Sequence, residues 1–487
     1  MSERAVDQIS RREFLQGSIA ATGTAIAASA LPSLSAQETP RRRPNLLFIY
    51  TEGQRWDALS LSGNPILKTP NMDRIGREGV TFNNAFCTNA LCAPARTVAL
   101  TGMYSHATDT LDNGTDRSFL DPDIPLFTDL LHEAGYEVAI CGKVHAKNGL
   151  KERYWDYYFG FNAPVTNYYH PQFFEGRNGT IGNEVTYHGQ YADDLVTDRA
   201  LSWLNEKHEK PFCLLLWLQA PHSPFWRPRR LLDLYNGVAI PKPSTFDDDV
   251  KGYPGKPRAF VEADNKIGTS SNRLDMCRSL EEVVKDYYAG LVAVDENIGR
   301  VLEFLERSGE LDDTAILHSS DHGYFLGEWR FFDKRFMHEP SIRIPMMLRY
   351  PRFFAAGRTV DEMVLNLDIA PTLLDLARAP VPGHMQGRSL LALARGQKTE
   401  WREDWLYEHY EYPEAERVRP HRGVRSARYK LIHYYLEPQE YELYDLQADP
   451  KELRNLYGQP EYAGVQERLQ SRLASLRNET GDVVRGR

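Results

Sequence analysis

The chain has 487 residues, with 58 Lys and Arg against 67 Asp and Glu and a formal net charge of −9. That length suits one large domain plus a smaller one, and 42% hydrophobic with 26% charged residues is an ordinary soluble composition. The acidic balance excludes nucleic acid as the main partner, because a basic footprint is missing.

The chain opens with an address. Ser10-Arg11-Arg12-Glu13-Phe14-Leu15 is a twin-arginine box, followed by a mildly apolar run over residues 17–31 and small residues that offer a cleavage site near Ala36. The run is too short and too rich in Ala, Gly and Thr to span a bilayer stably. Residues 1–36 are therefore expected to be a signal read by the twin-arginine translocase. The mature protein is expected to be exported, already folded, to the periplasm or medium of a bacterium.

Four apolar runs follow, each ending in polar or ionisable residues. "PNLLFIYTEGQRWD" predicts a strand over about residues 46–50, followed by Glu52. "YEVAICGKVHAK" predicts a strand to Cys141, followed by Lys143 and His145. "PFCLLLWLQAPHSPF" predicts a strand to Leu218, followed by His222. "DTAILHSSDHG" predicts a strand to His318, followed by Asp321 and His322. Runs this apolar are buried on both faces, which calls for a parallel or mixed sheet covered by helices. Helical patterns lie between them, in "FTDLLHEAG", "DDLVTDRALSWLNEK" and "VVKDYYAGLVAVDENIGRVLEFLERSG". This alternation predicts an α/β fold. Ligands in such sheets bind beyond the carboxyl ends of the strands, so these six ionisable residues are expected to converge on one rim.

Between the first two runs, "LCAPARTVALTG" predicts a helix. Pro94 suits a first turn because it lacks the N–H that would go unsatisfied there, and Gly102 supplies the stop. Cys92 then lies at the helix N-terminus, where free N–H groups favour an anion, and Arg96 projects from the same face one turn later. On these residues alone Cys92 is open to four readings: packing, half a disulfide, a thiolate nucleophile, or the precursor of another group. Cys141 and Cys213 lie inside apolar runs and read as buried free thiols. With Cys87, Cys92 and Cys277 the count is five, so at least one is unpaired.

Lys334 in "FFDKRF" reads, by itself, as a solvated surface charge. The dense aromatics over residues 153–175 suit sugar stacking or the packing of a long loop equally well. Arg227, Arg229 and Arg230 suit a solvated turn better than an anionic-polymer site. The Pro/Gly-rich "ARAPVPGHMQGRSL" connects a catalytic region, residues 43–385, to residues 386–487. There "YKLIHYYL" and "YELYDL" predict a small antiparallel sheet, and "YAGVQERLQSRLASLRNE" a terminal helix.

These ordered motifs resemble the type I sulfatases of the alkaline phosphatase superfamily. "CAPARTVALTG" is similar to their Cys-x-Pro-x-Arg signature. The likeness runs from "PNLLFIYTEGQRWD" through "GKVH", "APHSPF" and "SDHGYFLGEWRFFDKRFMHEPSIRIPMMLRYP" to "YELYDLQADPKELRNL". The resemblance implies a sulfuric ester hydrolase in which a formylglycine-generating enzyme oxidises Cys92. One hydroxyl of the hydrated aldehyde then attacks sulfur and the second expels sulfate. It further implies that Arg96 holds the nucleophilic hydroxylate, Lys143 and Lys334 neutralise sulfate oxygens, and His145 orients the diol. His222 is implied to protonate the leaving alcohol or hold the sulfate. Glu52, Asp321 and His322, with the diol at position 92, are the implied ligands of one divalent cation: calcium first, with magnesium or manganese compatible.

Two positions depart from the family's commonest pattern. Glu52-Gly53 replaces two adjacent aspartates, and His322 stands where Asn is frequent. His occurs there among relatives that cleave phosphate or phosphonate esters, so a phosphodiester or phosphonate monoester hydrolase is the alternative activity. A non-catalytic relative that binds sulfated glycans is the alternative class. The expected substrate is a sulfated small molecule or glycan. A sulfated sugar is favoured over choline sulfate by the likeness of "FFDKRFMHEPS" to carbohydrate sulfatases.

Overall fold

Asn45–Thr51 forms β1, a strand buried along its whole length. The computed structural model describes residues 43–114, 120–248, 256–267, 278–413 and 416–483. The signal segment 1–36, with Arg11, Arg12 and Ala36, and also Cys277 lie outside the described residues. The remaining strands up to residue 365 are β2 (Val80–Phe86), β3 (Glu137–Lys143), β4 (Tyr157–Phe161), β5 (Gln172–Arg177), β6 (Thr180–Thr186), β7 (Phe212–Trp217), β8 (Thr314–Ser320), β9 (Phe325–Leu326), β10 (Phe332–Asp333), β11 (Arg343–Ile344), β12 (Met346–Arg349) and β13 (Arg358–Leu365).

The main sheet has the order β11-β2-β12-β8-β1-β7-β3-β4-β5-β6, with β13 paired to β2. Its centre, β8-β1-β7-β3-β4, is parallel throughout. β12 pairs antiparallel with β8, β5 with β4, and β6 with β5. This is the mixed, largely parallel sheet expected from the apolar runs. Alternate β1 side chains serve opposite cores. Leu46, Phe48 and Tyr50 face the helices Cys92–Thr101, Phe127–Glu133 and Ile369–Leu376. Leu47 and Ile49 face Pro70–Arg77, Ala192–Leu204 and Leu280–Arg307.

Strand boundaries differ from the sequence expectation by one or two residues. β3 continues past Cys141 to Lys143, β8 continues past His318 to Ser320, and β7 stops at Trp217 rather than Leu218. The ladder explains this: Lys143 still pairs with Phe161, and Ser320 with Thr51. Polar residues extend a strand when the neighbouring backbone is there to pair with them. The long helix begins at Leu280, earlier than Val283. Ser279 caps it, accepting from the Glu282 N–H while its own N–H donates to the Glu282 carboxylate.

The C-terminal sheet has four antiparallel strands, β14 (Asp404–His409), β15 (His421–Ser426), β16 (Tyr429–Tyr434) and β17 (Glu440–Asp445), in sequential order. The helix Ala463–Thr480 packs against it. Only the last two strands are apparent in the apolar pattern. β14 and β15 are rich in charged residues and histidines that the fold nevertheless buries. Its Trp405, Leu406 and Val424 share one hydrophobic core with β1 and the Cys92–Thr101 helix. No helix among the described residues is long and apolar enough to cross a membrane.

Candidate active site

The helix predicted around Cys92 spans Cys92–Thr101 and is wholly buried. Extended Leu91 precedes it, Pro94 occupies the first turn, and Gly102 ends it in the left-handed region, donating its N–H to the Val98 carbonyl at 2.8 Å. Arg96, one turn after Cys92, ties three strand ends together. Its guanidinium donates to Glu52 Oε2 (2.7 Å), Asp321 Oδ2 (3.2 Å) and the Lys143 carbonyl (2.6 Å). The rings of Trp217 and Tyr50 lie 5.1 and 5.5 Å from it. A cation this deep is tolerable only because every face has a carboxylate, a carbonyl or a π-surface.

Register places the strand ends level. Tyr50 pairs with Trp217, Thr51 with Ser320, and Gly142 with Trp217. Gly142 has φ +119°, and a Cβ there would lie 1.8 Å from the Trp217 carbonyl oxygen. Glycine is thus the residue that lets β3 pass close to β7 immediately before Lys143. The Lys143 ammonium stands 2.8 Å from Glu52 Oε2. Burial raises the Glu52 carboxyl, but Lys143 and Arg96 outweigh it and hold the group well below its usual range. The unusual neighbour Gly53 has φ +72°, and a Cβ there would come within 3.0 Å of the Tyr324 ring. In place of a second carboxylate this position offers a backbone N–H, donated to Asp321 Oδ1 at 2.9 Å.

Glu52, Cys92, Asp321 and His322 present ligand atoms that all lie within 4.8 Å of one another. His322 Nδ1 donates to the Gly323 carbonyl at 2.8 Å, which aims Nε2 at the two carboxylates, 3.4 Å from each. Burial and the nearby Glu52 push the Asp321 carboxyl up to about 7. Two carboxylates and an imidazole buried so close together suit a divalent cation, which would relieve their mutual repulsion.

Cys92 Sγ lies 2.7 Å from Glu52 Oε1 and 3.6 Å from His322 Nε2. Burial and Glu52 raise the thiol, yet Lys143 and Lys334 prevail and hold it well below the ordinary thiol range. Position 92 thus lies between the Glu52 carboxylate, to which its thiol donates, and the cations Lys143 and Lys334. His145 is buried beside it; burial disfavours its charged form, and its hydrogen bond with Cys92 opposes that in part. His222 is the most open of the group, 14% exposed. Its Nδ1 donates to the Ser223 carbonyl at 2.5 Å, leaving Nε2 to accept from Lys334 Nζ at 3.4 Å. Burial, Lys334 and Lys143 all disfavour its charged form.

Lys334 corrects the surface reading. It is 2% exposed, with Nζ 3.8 Å from Glu52 Oε1. Its neighbours Asp333 (φ +81°) and Arg335 (φ +92°) are both left-handed, each at a cost on the order of 1 kcal/mol. Sequence reasoning missed Arg335, Glu411 and Glu416, which meet beside this turn. They are up to 81 residues apart in sequence, and no local pattern links them. The rim aromatics of residues 153–175 mostly pack inward: Trp155, Tyr157, Tyr158, Phe159, Phe161, Tyr168 and Phe173 are buried. Arg227 pairs with Asp286, and Arg230 with Asp194 and Glu296. Cys87, Cys141 and Cys213 are buried free thiols.

A mixed sheet whose strand ends bring buried cations beside a cluster fit for a divalent cation is suited to binding an anionic ester. The sequence profile of the sulfatase family matches residues 44–379, and the profile described as N-sulphoglucosamine sulphohydrolase, C-terminal, matches residues 327–479. The chain belongs to the sulfatase family. It is 35% identical to an N-acetylglucosamine-6-O-sulfatase of Bacteroides thetaiotaomicron, over 92% of this chain and 88% of that one. It is 27% identical to an ulvan-active sulfatase of Formosa agariphila, over 93% and 84%. A solved structure of a protein in complex with its substrate D-glucosamine-2-N,6-O-disulfate superposes with a TM-score of 0.83 at 34% identity, covering 91% of this chain and 99% of that one.

Proposed function

We propose that this sulfatase hydrolyses the 6-O-sulfate ester of a glucosamine-type sugar, with Cys92 oxidised to formylglycine and a divalent cation, calcium first, held by Glu52, Asp321 and His322. The observation that carries the reading is the environment of residue 92, where Arg96, Lys143 and Lys334 concentrate positive charge in a buried space. The sugar class is supported by the two glucosamine-type relatives. Formylglycine supplies a hydrated aldehyde, one hydroxyl of which attacks sulfur while the other later releases sulfate. The cation supplies Lewis acidity toward the sulfate oxygens.

The protein's own groups then divide the work. Lys143 and Lys334 stand on two sides of Glu52 and neutralise sulfate oxygens as charge develops. Arg96 fixes Glu52 and Asp321 and keeps the nucleophilic oxygen anionic. His145, which already meets the Cys92 side chain, is placed to hold one hydroxyl of residue 92. His222 Nε2 faces the open side. An anionic ester bound against Lys334 offsets the cations that keep this imidazole neutral, so substrate itself readies His222 to protonate the leaving alcohol. The catalytic region is taken as residues 43–385 and the C-terminal region as 386–487. Arg11 and Arg12 are taken to direct twin-arginine export to the periplasm, which replacement of both by Lys would block.

The test is release of inorganic sulfate by protein co-produced with a formylglycine-generating enzyme. N-acetylglucosamine 6-sulfate should be cleaved, the peptide carrying residue 92 should have the formylglycine mass, and chelation should inactivate reversibly. An active protein carrying only unmodified Cys92 would overturn the mechanism. Turnover of choline sulfate or a phenyl phosphonate in place of the sugar would overturn the substrate.

A further inference from the structure

Lys334 sits between two left-handed residues, Asp333 and Arg335, immediately after the two-residue strand β10 that pairs with β9. Such a conformation persists only where the surroundings determine it. Here the determinant is Arg335. Its Nε donates to Glu411 Oε2 at 2.7 Å, and its Nη1 lies 2.9 Å from Asp333 Oδ2 and 2.6 Å from Glu416 Oε2. Its carbonyl accepts from the Tyr407 hydroxyl at 2.6 Å. All four charged side chains are at most 6% exposed.

Asp333 divides its two oxygens: Oδ2 goes to Arg335, and Oδ1 stands 3.2 Å from Lys334 Nζ. Released from Arg335, that carboxylate could close fully on Lys334 and neutralise the ammonium before a sulfate arrives. Three carboxylates already surround Arg335, so it adds little positive potential of its own to the site. Its effect must pass through the placement of Lys334.

We infer that Arg335 is a positioning residue for Lys334, and that Glu411 and Glu416, from the segment between β14 and β15, thereby set the geometry of the sulfate site. The inference rests on the reading of Lys334 as a sulfate-binding group. It makes the C-terminal region part of the active site without placing any of its residues on the substrate.

A double-mutant cycle tests it. Wild type, Arg335→Gln, Lys334→Met and the double variant are compared for kcat and KM on an aryl sulfate and for affinity toward inorganic sulfate by calorimetry. Arg335→Gln should lower kcat/KM and sulfate affinity at least tenfold when Lys334 is present, and less than twofold in the Lys334→Met background. Glu411→Gln, which keeps the side-chain shape, should act in the same direction and serves if Arg335→Gln does not fold. Arg335→Lys should restore part of the loss. Equal losses in both backgrounds, or an unaffected Arg335→Gln and Glu411→Gln, would overturn the positioning role. Unchanged turnover and sulfate affinity in Lys334→Met would instead refute the role of Lys334 itself, and this inference with it.

Discussion

Lys143 and Lys334 both bring an ammonium to Glu52, one 2.8 Å from Oε2 and the other 3.8 Å from Oε1, but the backbone delivers them differently. Lys143 is the last residue of a regular strand, level with its neighbours because β3 is in register with β7 and β4. Lys334 is carried by left-handed backbone and held by carboxylates from far along the chain. A charge on a regular element inherits its position from the hydrogen-bond ladder. A charge on an irregular turn needs partners that fix it individually, and its failure modes are different.

The largest expected effect removes the centre that both lysines serve. Cys92→Ala should cut turnover on the order of 10^4-fold or more, because no nucleophile can form, while inorganic sulfate still binds. Retained turnover would mean that the two lysines converge on something else. Next, Lys143→Met and Lys334→Met should each cost about 10^2–10^3-fold in kcat/KM, as for the loss of one preorganised donor. Only the first should also lower the melting temperature markedly. It strips fully buried Glu52 of its 2.8 Å partner, whereas Asp333 keeps Arg335 when Lys334 is gone. Equal melting temperatures would dissolve the distinction.

Gly142→Ala probes the register side alone. The new Cβ would meet the Trp217 carbonyl at 1.8 Å on a backbone of φ +119°, and a loss of about 3 kcal/mol is expected in denaturant unfolding. Unchanged stability would show that the β3–β7 approach does not fix Lys143.

The smallest effect concerns how the C-terminal helix is attached. His106 Nδ1 lies 2.7 Å from Glu408 Oε2 and its Nε2 2.9 Å from the Thr480 carbonyl. Both partners can only accept, so both ring nitrogens must donate. Burial opposes the charged ring, but Glu408 and the Thr480 carbonyl prevail and raise its pKa. The stability this link contributes, about 1–2 kcal/mol, is therefore complete below about pH 6.5, the unfolded value. It is lost as pH rises through the higher folded value. His106→Gln should flatten that part of a pH series of melting temperatures. An unchanged slope would rule the link out.

What the sequence disclosed follows the same division. Glu52, Lys143, Asp321 and His322 could be read because apolar strands announce where they end, and Cys92 with Arg96 because Pro94 and Gly102 punctuate a helix. Lys334 by itself read as a surface charge, since nothing near it reveals that the turn folds inward; only the family resemblance placed it at the sulfate. Strands β14 and β15 were hidden because "DWLYEH" and "HRGVRS" owe their burial to partners such as Asp482, which meets Arg422, and not to an apolar pattern. The aromatic stretch after Lys143 suited two roles equally, and burial decided it for packing.

Cys92 has no exposed surface, and the walls around it come from distant parts of the chain: Glu52 lies 40 residues before it and His322 lies 230 residues after. At a synthesis rate of about 5–20 residues per second, the later wall emerges roughly 10–50 s after Cys92 does. If Cys92 is oxidised as proposed, the modifying enzyme has its opening within that interval, before β8 docks beside β1. On that proposal, slower translation between residues 92 and 322 should raise the fraction of protein in which residue 92 is oxidised.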